Sequence, residues 1–269
     1  MVIAGHYKNL TPVFYQLTEK HEENLFICLL ILSVTSCKKK DITYKTDQLT
    51  DYLQLQSGKT ITYRVDSTNF VYFGTIDTVT SYIMQDVIDT LITDNLGRPS
   101  WRVFRYVTDT AMSQPWANLE TYLVTPTIQT VEVNENNLRY IKLSLPLTNG
   151  FSWPGNSYID TNSPSSSTDA DYSYLDGWSY TYDSIGSPYN VIAGTIPSTL
   201  IVRQADQYLP DSTNIFVSSS RTYSVEVYAK GIGLIYKDFL YWFYQPPNGS
   251  NSAGYKTGYG IRMNMISHN

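Results

Sequence analysis

The chain reads as all-β, and three observations carry that reading. Tyrosine is the outstanding residue, with 24 copies in 269 residues, beside many Thr, Ser, Asp and Asn. Aromatic and β-branched residues suit a pleated, half-buried surface, while the helix formers Ala, Glu and Lys are scarce. Apolar runs recur at intervals of 8–20 residues without a 3.6-residue period, and turn residues separate them. A strongly twisted antiparallel sheet or open barrel is the first architecture expected, and a β-sandwich the second.

The elements follow in order. Tyr52–Leu55 leads through Ser57-Gly58 into Thr60–Val65, where Ile61, Tyr63 and Val65 alternate with Thr62 and Arg64 as in a half-buried strand. Phe70–Phe73 and Val79–Leu91 continue the style. Asp94-Asn95-Leu96-Gly97 supplies a turn with glycine placed for positive φ, and Trp101–Val107 completes a long hairpin. After a looser patch at Met112–Asn118, Tyr122–Val133 reads as one or two strands, and Asn134–Asn137 turns the chain into Leu138–Leu145. There Leu138 and Tyr140 are expected to face inward and Arg139 and Lys142 to face water. Pro146 ends that strand, since proline has no N–H for a ladder. Phe151-Ser152-Trp153-Pro154-Gly155 is an aromatic corner, and the polar stretch 156–176 predicts a long loop. Strands resume at Trp178–Tyr182, Ser198–Gln204 and Thr222–Tyr228. The densely apolar Leu234–Tyr244 predicts a strand covered on both faces, and Gly258–Ile266 is the last strand.

The N-terminal stretch gives the address. Leu25–Leu32 is too short for a bilayer span, which takes about 20 apolar residues, but fits the apolar core of a signal peptide. Val34-Thr35-Ser36-Cys37 follows, then three lysines, and these four residues resemble a bacterial lipobox. That resemblance implies cleavage before Cys37 and acylation of its thiol. It divides the chain into a leader (1–36), a lipidated tether (37–51) and a single β domain (52–269). Residues 1–24 carry Glu19, Glu22 and Glu23 where a signal peptide is positive, and read as a start set upstream of the true initiator. The lack of Asp after Cys37, and the basic rather than acidic run that follows, point to the outer membrane and its periplasmic face.

Composition excludes several chemistries. The formal net charge of −5 offers no basic face for nucleic acid. Cys28 lies in the leader and Cys37 would carry lipid, which leaves the domain without a disulfide or a thiolate metal site. His6 and His21 precede Cys37, so His268 alone remains, and no Ser-His-Asp triad or multi-histidine zinc site can be assembled. No cofactor is implied.

Five segments, in order, carry a wider resemblance: DYLQLQSGKTITYRVDS (Asp51–Ser67), DNLGRPSWRVFRY (Asp94–Tyr106), NNLRYIKLSLPL (Asn136–Leu147), WPGN (Trp153–Asn156) and EVYAKGIGLIYKDF (Glu226–Phe239). Together with the acylated cysteine they resemble uncharacterised lipoproteins of Bacteroidota. The resemblance implies an extracytoplasmic β-rich domain and supplies no catalytic residue.

Four features invite function. Gly231-Ile232-Gly233 lacks the third glycine of a dinucleotide fingerprint, whose place holds Tyr236, and reads as a tight bend flanked by solvent-facing Lys230 and Lys237. Asp169, Asp171 and Asp176 crowd oxygens into a loop without EF-hand spacing, since Tyr180 stands at the twelfth place. Asp86, Asp89, Asp183, Glu226 and Asp238 lie on or beside strands, and a carboxylate-based hydrolase would need two of them to converge. Trp116, Trp153 and Trp178 are the candidate ligand-binding residues, as platforms for sugar rings, whereas Trp101 and Trp242 read as core. The expected function is a non-enzymatic envelope lipoprotein that binds an envelope protein or a small hydrophobic ligand. A carbohydrate-binding module of a glycan-uptake system is the alternative.

Overall fold

The computed structural model describes residues 47–72, 74–161, 172–210, 214–249 and 254–269. The leader, Cys37 with its lysines, and Asp169 and Asp171 lie outside the described residues. A compact unit begins at Asp47. It holds β1 (Thr60–Val71), β2 (Ile76–Thr93), β3 (Pro99–Thr108), β4 (Ala117–Pro126), β5 (Thr130–Glu135), β6 (Leu138–Ser144), β7 (Ser152–Trp153), β8 (Tyr180–Val191), β9 (Gly194–Leu209), β10 (Ser219–Ala229), β11 (Gly233–Gln245) and β12 (Tyr255–His268). Two short 3-10 turns, Leu49–Tyr52 and Ser173–Leu175, are the helical elements among the described residues.

All twelve strands form one antiparallel sheet in the order β6-β5-β4-β3-β2-β1-β12-β11-β10-β9-β8-β7, nearly closed into a barrel. Each half is a meander of neighbours in sequence, and β1 and β12 join the halves, Val65 opposite Met263. The expected alternation holds in part in β1: Ile61, Tyr63 and Val65 are buried and Arg64 is exposed, but Thr62 is buried as well, where its Oγ1 accepts from Gln85 Nε2. The Asp94–Gly97 turn forms as read, with Gly97 at φ 75°, and Tyr122–Val133 resolves into β4 and β5. The glycine bend between β10 and β11 also forms, with Gly231 at φ 76°.

The edges β6 and β7 do not ladder. A few directed bonds close the seam between them instead. Ile141 N–H donates to Gly155 O at 2.8 Å, and Trp153 Nε1 donates to Ile141 O at 2.8 Å. The Tyr182 hydroxyl accepts from Ser144 N–H at 3.0 Å and donates to Ser144 O at 2.7 Å. Gly155 must be glycine, because a Cβ there would stand 2.5 Å from ring atoms of Tyr180. The aromatic corner is therefore the clasp of the barrel.

Two further segments complete the body. The Asp47–Leu55 stretch plugs one end, with Leu49 and Tyr52 buried and Asp51 O accepting from Gly231 N–H at 2.7 Å. The outer part of the β8–β9 hairpin docks on β12, where Ile192 N–H bonds Asn264 Oδ1 and Ala193 N–H bonds Met265 O. It shelters a second core of Val191, Val227, Ile235 and Met265. Cover on both faces of β11 is thus local, since most of Leu234–Tyr244 is half-buried.

Replacing Tyr182 by Phe removes both bonds to the buried Ser144 peptide groups. A loss of roughly 1–3 kcal/mol is expected, read as a lower urea midpoint at unchanged m-value.

Candidate binding cavity in the barrel

Strand alternation sends charge as well as apolar surface into the barrel. In β2, Met84, Asp86 and Ile88 share one parity, and in β3 Val103 and Arg105 do. The Arg105 guanidinium is the centre. Its Nε and Nη2 bond the two Asp86 oxygens at 2.7 and 2.9 Å, and its Nη1 meets Glu120 and Glu135, each at 2.5 Å. The Tyr122 hydroxyl donates to Asp86 at 3.0 Å, and its ring lies 4.8 Å beneath the guanidinium. Across the lumen, Lys142 Nζ bonds Glu226 Oε1 at 2.7 Å and the Tyr228 hydroxyl bonds Glu226 Oε2 at 2.7 Å. Lys237 joins more loosely, 3.8 Å from Glu226 Oε1.

Two lysines therefore stand where the sequence did not place them. Lys142 was expected in water and is buried, because it is the extra residue of a β-bulge opposite Val131–Glu132. The bulge lets Lys142 and Leu143, adjacent in sequence, both turn from solvent. Lys237 was expected to face solvent and lines the lumen instead. Ile235 is an extra residue opposite Val227–Tyr228, so Leu234 and Lys237 come to the same side. Lys230 is half exposed and pairs with Asp47.

Four carboxylates face three cations in this belt. Burial raises the Glu120 carboxyl above the ordinary glutamate range, and contact with Glu135 reinforces the rise against Arg105. Burial works against Glu135 too, but Lys237, Arg105 and Lys142 hold it well below that range. Glu226 is likewise low: Lys142 and Lys237 outweigh its burial. Glu120 is thus the member of the belt whose carboxyl holds its proton to higher pH, while Glu135 and Glu226 are held in the charged form.

The belt separates two cavities. One, about 90 Å³, is apolar and lies under the plug, lined by Leu53, Leu55, Ile88, Val133 and Leu234. The other, about 310 Å³, is walled by aromatic rings, among them Tyr140, Tyr174, Trp178, Phe239 and Tyr259. Arg105, Glu135, Lys142 and Lys237 border both. Gln204 lines the larger cavity and is buried; its Oε1 accepts from Ser224 Oγ at 2.7 Å while its Nε2 has no partner.

The three tryptophans part company. Trp178 lines the larger cavity, 5% exposed, with Nε1 donating to Tyr174 O at 2.7 Å. Trp153 is buried in the seam, 4.6 Å from the Tyr182 ring, and borders none of the cavities described. Trp116 is exposed just before β4 and lines neither cavity. Trp101 packs partly buried on the main core, and Trp242 is half-buried, edge-on to Tyr208. Of the five acids, Asp86 and Glu226 enter the belt, while Asp89, Asp183 and Asp238 pair with Arg102, Arg203 and Arg262 at partly exposed sites. Arg105, Glu120, Glu135 and Gln204 were missed. A charge at the inward parity, as in Val103-x-Arg105, was the readable signal.

No protein-family model matches the chain, and no curated protein matches it. Among solved structures it is similar to one described as a "putative lipoprotein from Parabacteroides distasonis", at 10% identity and a TM-score of 0.31, over 81% of this chain and 98% of that one. So loose a superposition carries no argument.

Two outcomes test the belt. Lys142→Met strands Glu226 and should cost roughly 3–5 kcal/mol, while Lys142→Met with Glu226→Leu should recover most of it. Because the folded pKa of Glu120 is raised, its contribution is present below the unfolded value of about 4.3 and is lost as pH rises through the folded one. Glu135 and Glu226, both lowered, contribute above that value and lose it in acid. In a urea titration across pH, Glu120→Gln should abolish the fall in stability on the neutral side and keep the acid limb.

Proposed function

We propose that the chain is a cell-envelope lipoprotein, anchored through acylated Cys37 on the periplasmic side of the outer membrane, with its barrel as a non-enzymatic binding module. The observation that carries the binding reading is the larger cavity: a buried amide nitrogen without an acceptor, on a wall shared with aromatic rings and a loosely paired lysine. A buried donor left unsatisfied costs about 1–3 kcal/mol, which a ligand acceptor would offset. Specific small-molecule sites have this form, apolar walls with a few convergent polar groups.

Carboxylate-based hydrolysis is the weaker reading. Glu120 and Glu135 are pushed apart in pKa, as an acid and its partner would be. Yet both bond the same Arg105 nitrogen and each other. Glycosidases hold their carboxyl groups about 5–9.5 Å apart, leaving room for the reacting bond. Here Arg105 occupies that space, so the pair reads as a structural charge balance.

Two measurements test the proposal. An alkyne fatty acid fed to cells should label the wild type and not Cys37→Ala, and an unlabelled wild type would remove the anchor. The protein extracted intact in detergent should carry a small-molecule adduct in its native mass spectrum, or gain thermal stability from an envelope extract. Neither response would remove the binding role.

A further inference from the structure

We infer that the larger cavity takes an uncharged sugar ring, whose hydroxyls bond Gln204, Lys237 and the acidic floor while its C–H face lies on the aromatic wall. The inference rests on the reading of this cavity as a ligand site, and three observations narrow the occupant.

Size comes first. At about 310 Å³ the cavity stands at the lower end of the roughly 300–1,000 Å³ range of ligand pockets. One compact ring suits it better than an extended chain. An acyl chain would have to continue into the apolar cavity, but that space is about 90 Å³. Arg105, Glu135, Lys142 and Lys237 lie across the way. Threading methylenes past paired charges would break buried ion pairs.

Charge comes second. The floor holds Glu120 and Glu135 beside Arg105, and Lys142 and Lys237, which pair with Glu226 behind it. A phosphate or carboxylate would meet acids that already hold the arginine, and a cation would meet lysines that already hold the acids. A neutral ligand disturbs neither set.

Hydrogen bonding and shape come third. Gln204 Nε2 lacks an acceptor and Lys237 Nζ is only loosely paired, 3.8 Å from Glu226, whereas Glu120 and Glu135 offer oxygens to donors. Hydroxyl groups both donate and accept, so one polyol answers both needs. The rings add flat apolar faces: Tyr174 stacks on Tyr241 at 4.4 Å, and Phe239 lies 5.0 Å from Tyr259. Tyr259 is 40% exposed and its hydroxyl lies 3.4 Å from that of Tyr174, which places this pair at the mouth. A pyranose presents this combination, equatorial hydroxyls around a C–H face.

The test uses the detergent-extracted protein and saturation-transfer NMR with methyl glycosides of glucose, galactose, mannose, xylose and N-acetylglucosamine. Sodium laurate and inorganic phosphate are run beside them. At least one glycoside should bind, and binding should weaken at least tenfold in Gln204→Leu and in Tyr259→Ala. The second change lies at the exposed mouth, and a circular-dichroism melt close to wild type shows that the fold is kept. Binding of laurate or phosphate without any glycoside would overturn the sugar assignment and leave the cavity a ligand site. Glycoside binding unchanged in Tyr259→Ala would place the sugar elsewhere and also overturn it. Silence from every probe and from the envelope extract would remove the cavity as a site altogether.

Discussion

The structure depends on one constraint, the filling of a lumen twelve strands wide. A barrel of about eight strands has an interior that apolar side chains just fill, and much wider ones keep a channel. Twelve strands fall between. Here the gap is spanned by the longest side chains available, and Arg105 lies where they meet, holding Asp86, Glu120 and Glu135 from β2, β4 and β5. Lys142, Glu226 and Lys237 answer from β6, β10 and β11. Arg105, Asp86, Lys142 and Glu226 are buried, so each must be paired, and the Lys142–Glu226 pair ties the two halves of the sheet together. The cavities on either side are what this belt leaves unfilled.

Closure follows a related logic. The sheet could end in two raw edges, which would invite pairing with another chain. The corner Phe151–Gly155 covers those edges with Trp153, Tyr182 and a glycine thin enough to pass the Tyr180 ring. At the other end the Asp47–Leu55 plug buries Leu49 and Tyr52. The docked β8–β9 hairpin then gives β10–β12 an apolar layer outside as well as in. Plug and hairpin leave the aromatic cavity as the roomy part of the lumen, with Tyr259 partly exposed beside it.

Much of the fold was legible. Tyrosine-rich alternation and regular turns announce strands, and the positions of β2, β3 and β12 follow from them with ends shifted by a few residues, while β1 runs on past the expected Val65 to Val71 and takes in Phe70. The misplaced residues have a common cause. Lys142 and Lys237 lie at or beside bulges, where an extra residue breaks the two-residue period on which inward and outward are judged. No strand was expected over 183–191 and 194–197, a stretch broken by Gly186, Pro188, Gly194 and Pro197, yet it builds much of the β8–β9 hairpin. Its stability comes from docking on β12 rather than from its own composition.

The sequence by itself determined the class of fold and the scarcity of histidine and cysteine, and raised the expectation of a lipid anchor. Those are properties of composition and of local pattern, which survive without coordinates. Only the tertiary structure decided that the acids scattered over β2, β4, β5 and β10 gather round one arginine and two lysines, and that Trp178 faces a cavity while Trp153 locks a seam. Such meetings join residues as far apart as Lys142 and Glu226, and they depend on register, bulges and closure, which a one-dimensional pattern does not encode.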